Sequence, residues 1–292
     1  MASPPSPDSS AAVRPYRTQD EAGVRELIDA DRLPGQQRCT AQRLAAAGRS
    51  PLALAGWTMP AGHPRISILA DTADHPRGVI AFVSWSDVRT GVICWLYARE
   101  DPPALRALLG HACAELARCR RIDAFVGAPP GPLGPGGLPR GRRAATHDSL
   151  LEAGFTGRRQ GSYLHRALPG DPWPAPAKLV ADLYPCEFPP GHRLIIRDGA
   201  EPVAEAVVSV APDHTATVYW IETRPTHRGR GLGRKLLGQA LALLAEQRAV
   251  EAALVIDDSG ACASESRAVS RLFDASGFTL VDELWTYQRR HP

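Results

Sequence analysis

Lysine is almost missing from this chain: Lys178 and Lys235 are the only two, although Lys and Arg together number 34 in 292 residues. Positive charge is carried by arginine, and a net charge of +3 is too small to mark a nucleic-acid-binding surface. Long apolar runs are absent too. No stretch approaches the roughly 20 residues that a membrane span requires. The N-terminal MASPPSPDSSAAVRPYR has no apolar segment of the kind that makes a secretory leader. Residues 1–12 are therefore expected to be a disordered lead, and the cytoplasm is the expected compartment. The six cysteines (Cys39, Cys94, Cys113, Cys119, Cys186 and Cys262) include no C-x-x-C pair. Reduced thiols are expected, with no disulfide framework and no metal site.

What is present is an element order that occurs twice. Thr18-Gln-Asp-Glu21 reads as a capping box ahead of Val24, Leu27 and Ile28 at helical spacing. Strands are expected at Ile66–Leu69, Val79–Val83, Val92–Tyr97 and Ala124–Val126, with an amphipathic helix carrying Leu105, Leu108, Leu109, Ala112 and Leu116. A short helix ends at Gly154-Phe-Thr, and Tyr163–Leu168 closes the half. After the proline-dense DPWPAPA of residues 171–177, the order returns. Leu194–Ile196 and Val203–Val210 flank Asp198-Gly199, a hairpin signal, and Thr215–Ile221 follows. A helix bears Leu236, Leu237, Ala240, Leu241 and Leu244 on one face, Leu254–Ile256 is a buried strand, and a second short helix ends at Gly277-Phe-Thr. The predicted class is α/β with a mixed sheet, in two tandem domains: 13–168, a linker at 169–177, and 178–292.

The densest chemistry lies in Thr223-Arg-Pro-Thr-His-Arg228-Gly229-Arg230-Gly231-Leu232-Gly233-Arg234, between a strand and a helix. Alternating glycines let backbone N–H groups approach a ligand without a Cβ in the way, and the following helix adds its positive end. Three arginines supply charge for phosphates, so the loop suits a pyrophosphate. A nucleotide P-loop would need a hydroxyl after Gly-Lys, whereas Gly233-Arg234-Lys235-Leu236 has none. A dinucleotide fingerprint needs G-x-G-x-x-G, and these glycines fall at 229, 231 and 233.

Arg228-x-x-Gly231-x-Gly233, after a strand and a proline, resembles the acetyl-CoA loop of the GNAT acyltransferase superfamily, and the likeness runs from Leu194 to Gln288. The resemblance implies acetyl-CoA as co-substrate, with Ile221, Glu222, Thr223, Arg228, Gly229, Arg230, Gly231, Leu232, Gly233 and Arg234 lining it. Ser266 stands where an asparagine often contacts the cofactor. The N-terminal half resembles the same fold, but its loop reads Ala98-Arg-Glu-Asp-Pro-Pro103, and two residues without N–H groups cannot cradle a pyrophosphate. The expectation is a degenerate first copy, an arrangement similar to the mycothiol synthases.

The catalytic positions depart from the family pattern. The usual glutamate falls on Thr217 and the usual tyrosine acid on Phe273, which is expected to line the cofactor but has no proton to give. Glu222 and Asp257 are the candidate bases, and Tyr219 and Tyr287 the candidate substitute acids. Plain strand alternation would put Thr217, Tyr219 and Ile221 on one face and Glu222 on the other. The expected activity is acetyl transfer to the amine of a small molecule. Acetylation of protein N-termini or lysines, or CoA binding without turnover, stand as alternatives, and the oligomeric state is open.

Overall fold

The computed structural model describes residues 12–49, 63–85, 89–126, 133–168, 181–187, 189–211, 213–258 and 263–290. The first half runs β1 (Ala12–Pro15), α1 (Glu21–Ala30), α2 (Ala41–Arg49), β2 (Arg65–Ala70), β3 (Pro76–Trp85), β4 (Thr90–Tyr97), α3 (Pro102–Glu115), β5 (Arg121–Ala124), the short β6 (Leu138–Pro139), α4 (Ala144–Glu152) and β7 (Thr156–Ala167). The second runs β8 (Asp182–Cys186), β9 (Gly191–Asp198), β10 (Glu201–Ser209), β11 (Thr215–Thr223), α5 (Leu232–Glu246), β12 (Glu251–Asp257), α6 (Ala263–Asp274) and β13 (Thr279–Arg290). The proline-dense 171–177 and most of the N-terminal lead lie outside the described residues.

The helical faces fall where the periodicity places them. Leu105, Leu108, Leu109, Ala112 and Leu116 on and just after α3, and Leu236, Leu237, Ala240, Leu241 and Leu244 on α5, are all buried. At about 1.5–3 kcal/mol for each fully buried Leu side chain, these stripes fix both helices to the sheet. The Asp198-Gly199 hairpin joins β9 to β10, with Gly199 at φ 60°. The capping reading at Thr18 is corrected by one residue. The Asp20 carboxylate accepts the Arg17 N–H at 2.7 Å and the Arg14 guanidinium at 2.8 and 2.9 Å, and Thr18–Asp20 is a single 3-10 turn.

All strands share one sheet, ordered β1-β2-β3-β4-β5-β13-β7-β12-β11-β10-β9-β8, with β6 against β13. Pairing is antiparallel except for β4–β5 and β11–β12. The two closing strands are exchanged: β13 pairs with β5 of the first half, and β7 pairs with β12 of the second. The cores record the same exchange. Tyr287 of β13 is buried with α3 and β5, while Leu164 and Leu168, on and just after β7, are buried with α5 and β12.

The halves differ on the face away from α3 and α5. In the first, α1 and α2 stand between β1 and β2, and Val24, Leu27 and Ile28 pack on β2–β4. In the second, β8 leads to β9 with only residues 187–190 between. The connection between α1 and α2 reaches over instead. Leu33 packs with Tyr163 and Ala253, the Gly35 N–H donates to Glu251 at 3.1 Å, and Gln37 donates to the Thr215 carbonyl at 3.2 Å. Gly35 permits this approach, because a Cβ there would stand 2.8 Å from His165 and 2.9 Å from the Ala253 Cβ. No helix among the described residues is long and apolar enough to cross a membrane.

Candidate functional site

The site grows from a parallel pair that comes apart. β11 and β12 are in register only from Thr215–Glu251 to Val218–Leu254, and β11 then continues to Thr223 without that neighbour. A bulge sits at the parting point: Val207 of β10 faces Trp220 while Val208 faces Val218, leaving Tyr219 as the extra residue. Ala216, Val218 and Ile221 consequently pack on the α5 side. Tyr219 and Trp220 take no part in that core, and Glu222 stands opposite Glu205. Plain alternation is thereby corrected: the bulge turns Ile221 and Thr223 toward α5 and sends Glu222 to the face of Thr217. A strand edge with no partner presents its N–H and C=O groups to whatever enters the gap.

At the end of β11 the chain makes a 3-10 turn at Pro225–His227 and reaches α5 through Arg228–Gly231. Gly229 (φ 77°) and Gly231 (φ 75°) are left-handed, and an added Cβ on either meets nothing within 4 Å. The first intrahelical bond found here runs from the Lys235 N–H to the Gly231 carbonyl at 3.1 Å. The N–H groups of the preceding turn, Leu232 to Arg234, are thus the donors a helix start leaves unused. Arg230 and Arg234 are exposed beside them, while Arg228 Nε donates to the Thr223 carbonyl at 3.2 Å. Gly233 lies close under Thr223 and Leu272, tying the loop to β11 and α6.

The candidate catalytic groups are placed unevenly around this gap. Glu222 is exposed, and its cross-strand neighbour Glu205 is bound by Arg193 at 2.6 Å. Asp257 ends β12 opposite Gly161, and the adjacent Asp258 is paired with Arg159. Burial raises the Tyr219 phenol above its usual range, against a smaller opposing effect of Arg43, so the hydroxyl keeps its proton near neutrality. Tyr287 is far from this chemistry: it is buried in the first half with its hydroxyl 2.7 Å from His147 Nδ1. Phe273 is buried in the second core, edge-on to Phe278 at 5.7 Å. Ser266 lies on α6, with its side chain outside the described residues. Residues without any sequence signal join the site from the first half. Arg43 pairs with Asp213 at 3.3 Å, just before β11, and lies within electrostatic reach of Tyr219. Among the described residues no group of three or more His, Cys, Asp or Glu side chains could hold a metal.

Residues 155–264, from the turn before β7 through β12 and into α6, match the family model described as Acetyltransferase (GNAT) family. The chain carries a GNAT domain. The same architecture covers both halves in solved structures. A GCN5-related N-acetyltransferase from Sphaerobacter thermophilus superposes with a TM-score of 0.65 at 13% identity, covering 97% of this chain and 96% of that one. A tandem GNAT protein from the clavulanic acid biosynthesis pathway gives 0.65 at 14% identity, covering 97% and 99%. A fungal GCN5-related glucosamine N-acetyltransferase region gives 0.59 at 12%, covering 96% of this chain but 38% of the multi-domain protein. These identities carry the fold, and the fold is the tandem GNAT arrangement. No curated protein matches the sequence.

The first half repeats the geometry and fills the gap. β4 and β5 pair only from Thr90–Arg121 to Ile93–Ala124, and the bulge falls on Cys94, between Ile93 opposite Phe82 and Trp95 opposite Ala81. Arg143 enters the space beyond. It is 3% exposed, donates to the Leu96 carbonyl at 2.8 Å, meets Glu100 at 3.1 Å and stacks over the Tyr97 ring at 4.8 Å. Glu100 also accepts the Thr146 N–H at 2.9 Å. Counting back from Gly154 and Gly277, Arg143 corresponds to Ser266. A protein guanidinium thus occupies, at β4, the edge equivalent to the one β11 leaves open, and Pro102 starts the next helix. Titration with acetyl-CoA is expected to give one site per chain by calorimetry; two would show that this slot can be vacated.

Proposed function

We propose that the protein is an acetyl-CoA-dependent N-acetyltransferase acting on the amine of a small molecule, with its cofactor held by the second half. One observation carries this reading: a bulged, splayed strand leads into a left-handed glycine turn whose open side faces the unused donors of a 15-residue helix. When bound, the thioester supplies the acetyl group. The amides from Gly231 to Arg234 hold the pyrophosphate, and Arg228, Arg230 and Arg234 add charge. The open edge of β11, at Ile221 to Thr223, orients the acyl end, and its N–H groups polarise the carbonyl. Glu222, on the face opposite α5, takes a proton from the acceptor ammonium, directly or through water, so that the neutral amine attacks the thioester carbonyl. Tyr219 keeps a proton that it can donate to the departing sulfur. A cytoplasmic location belongs to the same reading, and Cys39, Cys94, Cys113, Cys119 and Cys186 are free thiols.

The direct test is release of free thiol from acetyl-CoA across a panel of small amines. Within it, Glu222→Gln is expected to lower turnover at neutral pH by about 100-fold, with partial recovery at high pH, as loss of a general base does. Asp257→Asn is expected to change turnover less than threefold, about 0.7 kcal/mol of barrier. The reverse pattern would move the base to β12. A second reading, CoA binding without turnover, is favoured by Phe273, which sits in apolar core where no hydroxyl is available. Tight acetyl-CoA binding with no thiol release from any amine would select it.

A further inference from the structure

We propose that the first half binds a multivalent oxyanion, the phosphates or clustered carboxylates of a small metabolite, in a groove on the outer side of α1. The groove has a volume of about 540 Å3 and is lined by Arg25, Arg32, Arg38 and Arg99, against two acidic residues, Glu26 and Asp29. It is separate from the glycine loop of the second half and does not depend on the activity proposed above.

The charge balance points to an anion. Arg25 Nε donates to the Cys39 carbonyl at 3.0 Å and Arg32 donates to the Gln36 carbonyl at 2.8 Å. Backbone carbonyls orient these guanidinium groups without neutralising them. Glu21 stands 3.6 Å from Arg25 and is itself partly exposed. The Asp29 carboxylate is already engaged, accepting the Cys39 N–H at 2.8 Å. Among the described residues, no carboxylate comes within 4 Å of the Arg38 or Arg99 guanidinium groups, and both residues are exposed. Four arginines face two lining carboxylates, one of them committed, and a third, Glu21, stands beside Arg25, so cationic charge is in excess on a concave polar surface. Guanidinium forks in that arrangement match phosphate and carboxylate oxygens.

Backbone strain supports the placement of Arg99. It sits at φ 49° and the next residue, Glu100, at φ 53°, a left-handed pair without glycine. Such conformations persist where their surroundings over-determine them. Glu100 is held by Arg143 and by the Thr146 N–H and hydroxyl, and the Arg99 N–H is bonded to the Asp31 carboxylate. The clamp that closes the first acyl slot also turns the Arg99 side chain out into the groove. Since that slot is filled, a ligand bound here meets no acyl donor from the first half. Its role is binding, as an effector or as the anionic anchor of an acceptor that reaches the second half.

Calorimetry on the full chain at low salt, with inorganic pyrophosphate and citrate as probes, tests this. One saturable site per chain, beyond any pyrophosphate held by the glycine loop, is expected for at least one probe, and whichever binds more tightly there tells phosphate from carboxylate recognition. The double variant Arg38→Gln/Arg99→Gln, both at exposed positions, is expected to weaken binding at least about tenfold. Glu26→Gln removes a like charge and is expected to tighten binding, a gain that loss of structure could not produce. Gly231→Trp, which blocks the other phosphate site, is expected to leave it unchanged. No saturable binding overturns the proposal, as does affinity unchanged in the double arginine variant or lost in Gly231→Trp.

Discussion

Gly231→Trp is expected to remove acetyl-CoA binding, with affinity falling by at least about 100-fold, or about 2.7 kcal/mol. Two effects act in the same direction. Gly231 is the residue before α5 and has φ 75°, a conformation that L side chains adopt at a cost of about 1 kcal/mol. Space around it is open, so the fold itself has room for a side chain, and the indole would project into the space the phosphates need. The loss therefore falls on binding far more than on stability. A thermal midpoint within a few degrees of the parent, with no heat of binding, is the expected pair of results. Gly233→Ala is the internal contrast. It lies in the first turn of α5, where a Cβ meets Leu272 at 3.5 Å and the Thr223 hydroxyl at 3.6 Å, ordinary contact distances. Affinity retained in Gly231→Trp would move the cofactor away from this loop.

Much of this arrangement could be read from local sequence. The faces of α3 and α5, the Asp198-Gly199 hairpin and the strand before the glycine loop are set by periodicity and turn chemistry, which act over a few residues. The glycines of the loop are legible for the same reason, since their φ values serve a local backbone path. What local reasoning cannot supply is pairing between distant segments. β7 and β13 follow equivalent Gly-Phe-Thr turns, at Gly154 (φ 83°) and Gly277 (φ 77°), and have the same length. Nothing along either strand marks its partner, so their exchange between the halves is invisible in sequence, and Tyr287 looks like a second-half residue until β13 is seen beside β5. β1, β8 and α2 are short elements whose order comes from the sheet or helix they pack on. The bulge at Tyr219 is likewise tertiary: no glycine or proline announces it, yet it decides which way Glu222 points. The reach of Gln37 onto β11 and of Arg43 onto Asp213 just before it belongs to the same class, contacts spanning 178 and 170 residues.

The filled slot of the first half makes the strongest stability prediction. Arg143→Met is expected to destabilise the protein by about 3–5 kcal/mol, the loss found when one member of a buried ionic cluster is removed. Methionine retains most of the aliphatic volume, so a cavity contributes little and the deficit reports charge. Arg143 is the cation of a group that includes Glu100 at 3.1 Å and Asp31 at 3.8 Å, and it also satisfies the Leu96 carbonyl. Without it, that carbonyl loses a buried donor, and Asp31 and Glu100 lose their nearest counter-charge, leaving Arg99 to oppose the burial of Asp31. Burial already raises the Asp31 carboxyl above the usual carboxylate range, and the nearby guanidinium opposes that rise. Removing Arg143 should raise it further. A carboxyl whose folded value lies above its unfolded value binds its proton more readily in the folded state, so it weakens folding at high pH and ceases to do so once both states are protonated. The deficit of Arg143→Met should therefore be full near neutrality and shrink as pH falls through the raised carboxylate range. Urea midpoints at several pH values measure this, with the slope of unfolding unchanged if compactness is preserved. A deficit below about 1 kcal/mol, or one that grows on acidification, would show that the cluster is solvated and does not plug the slot. Acetyl-CoA stoichiometry in the same variant should stay at one, because emptying the strand edge beside Leu96 does not restore the N–H groups that Pro102 and Pro103 lack.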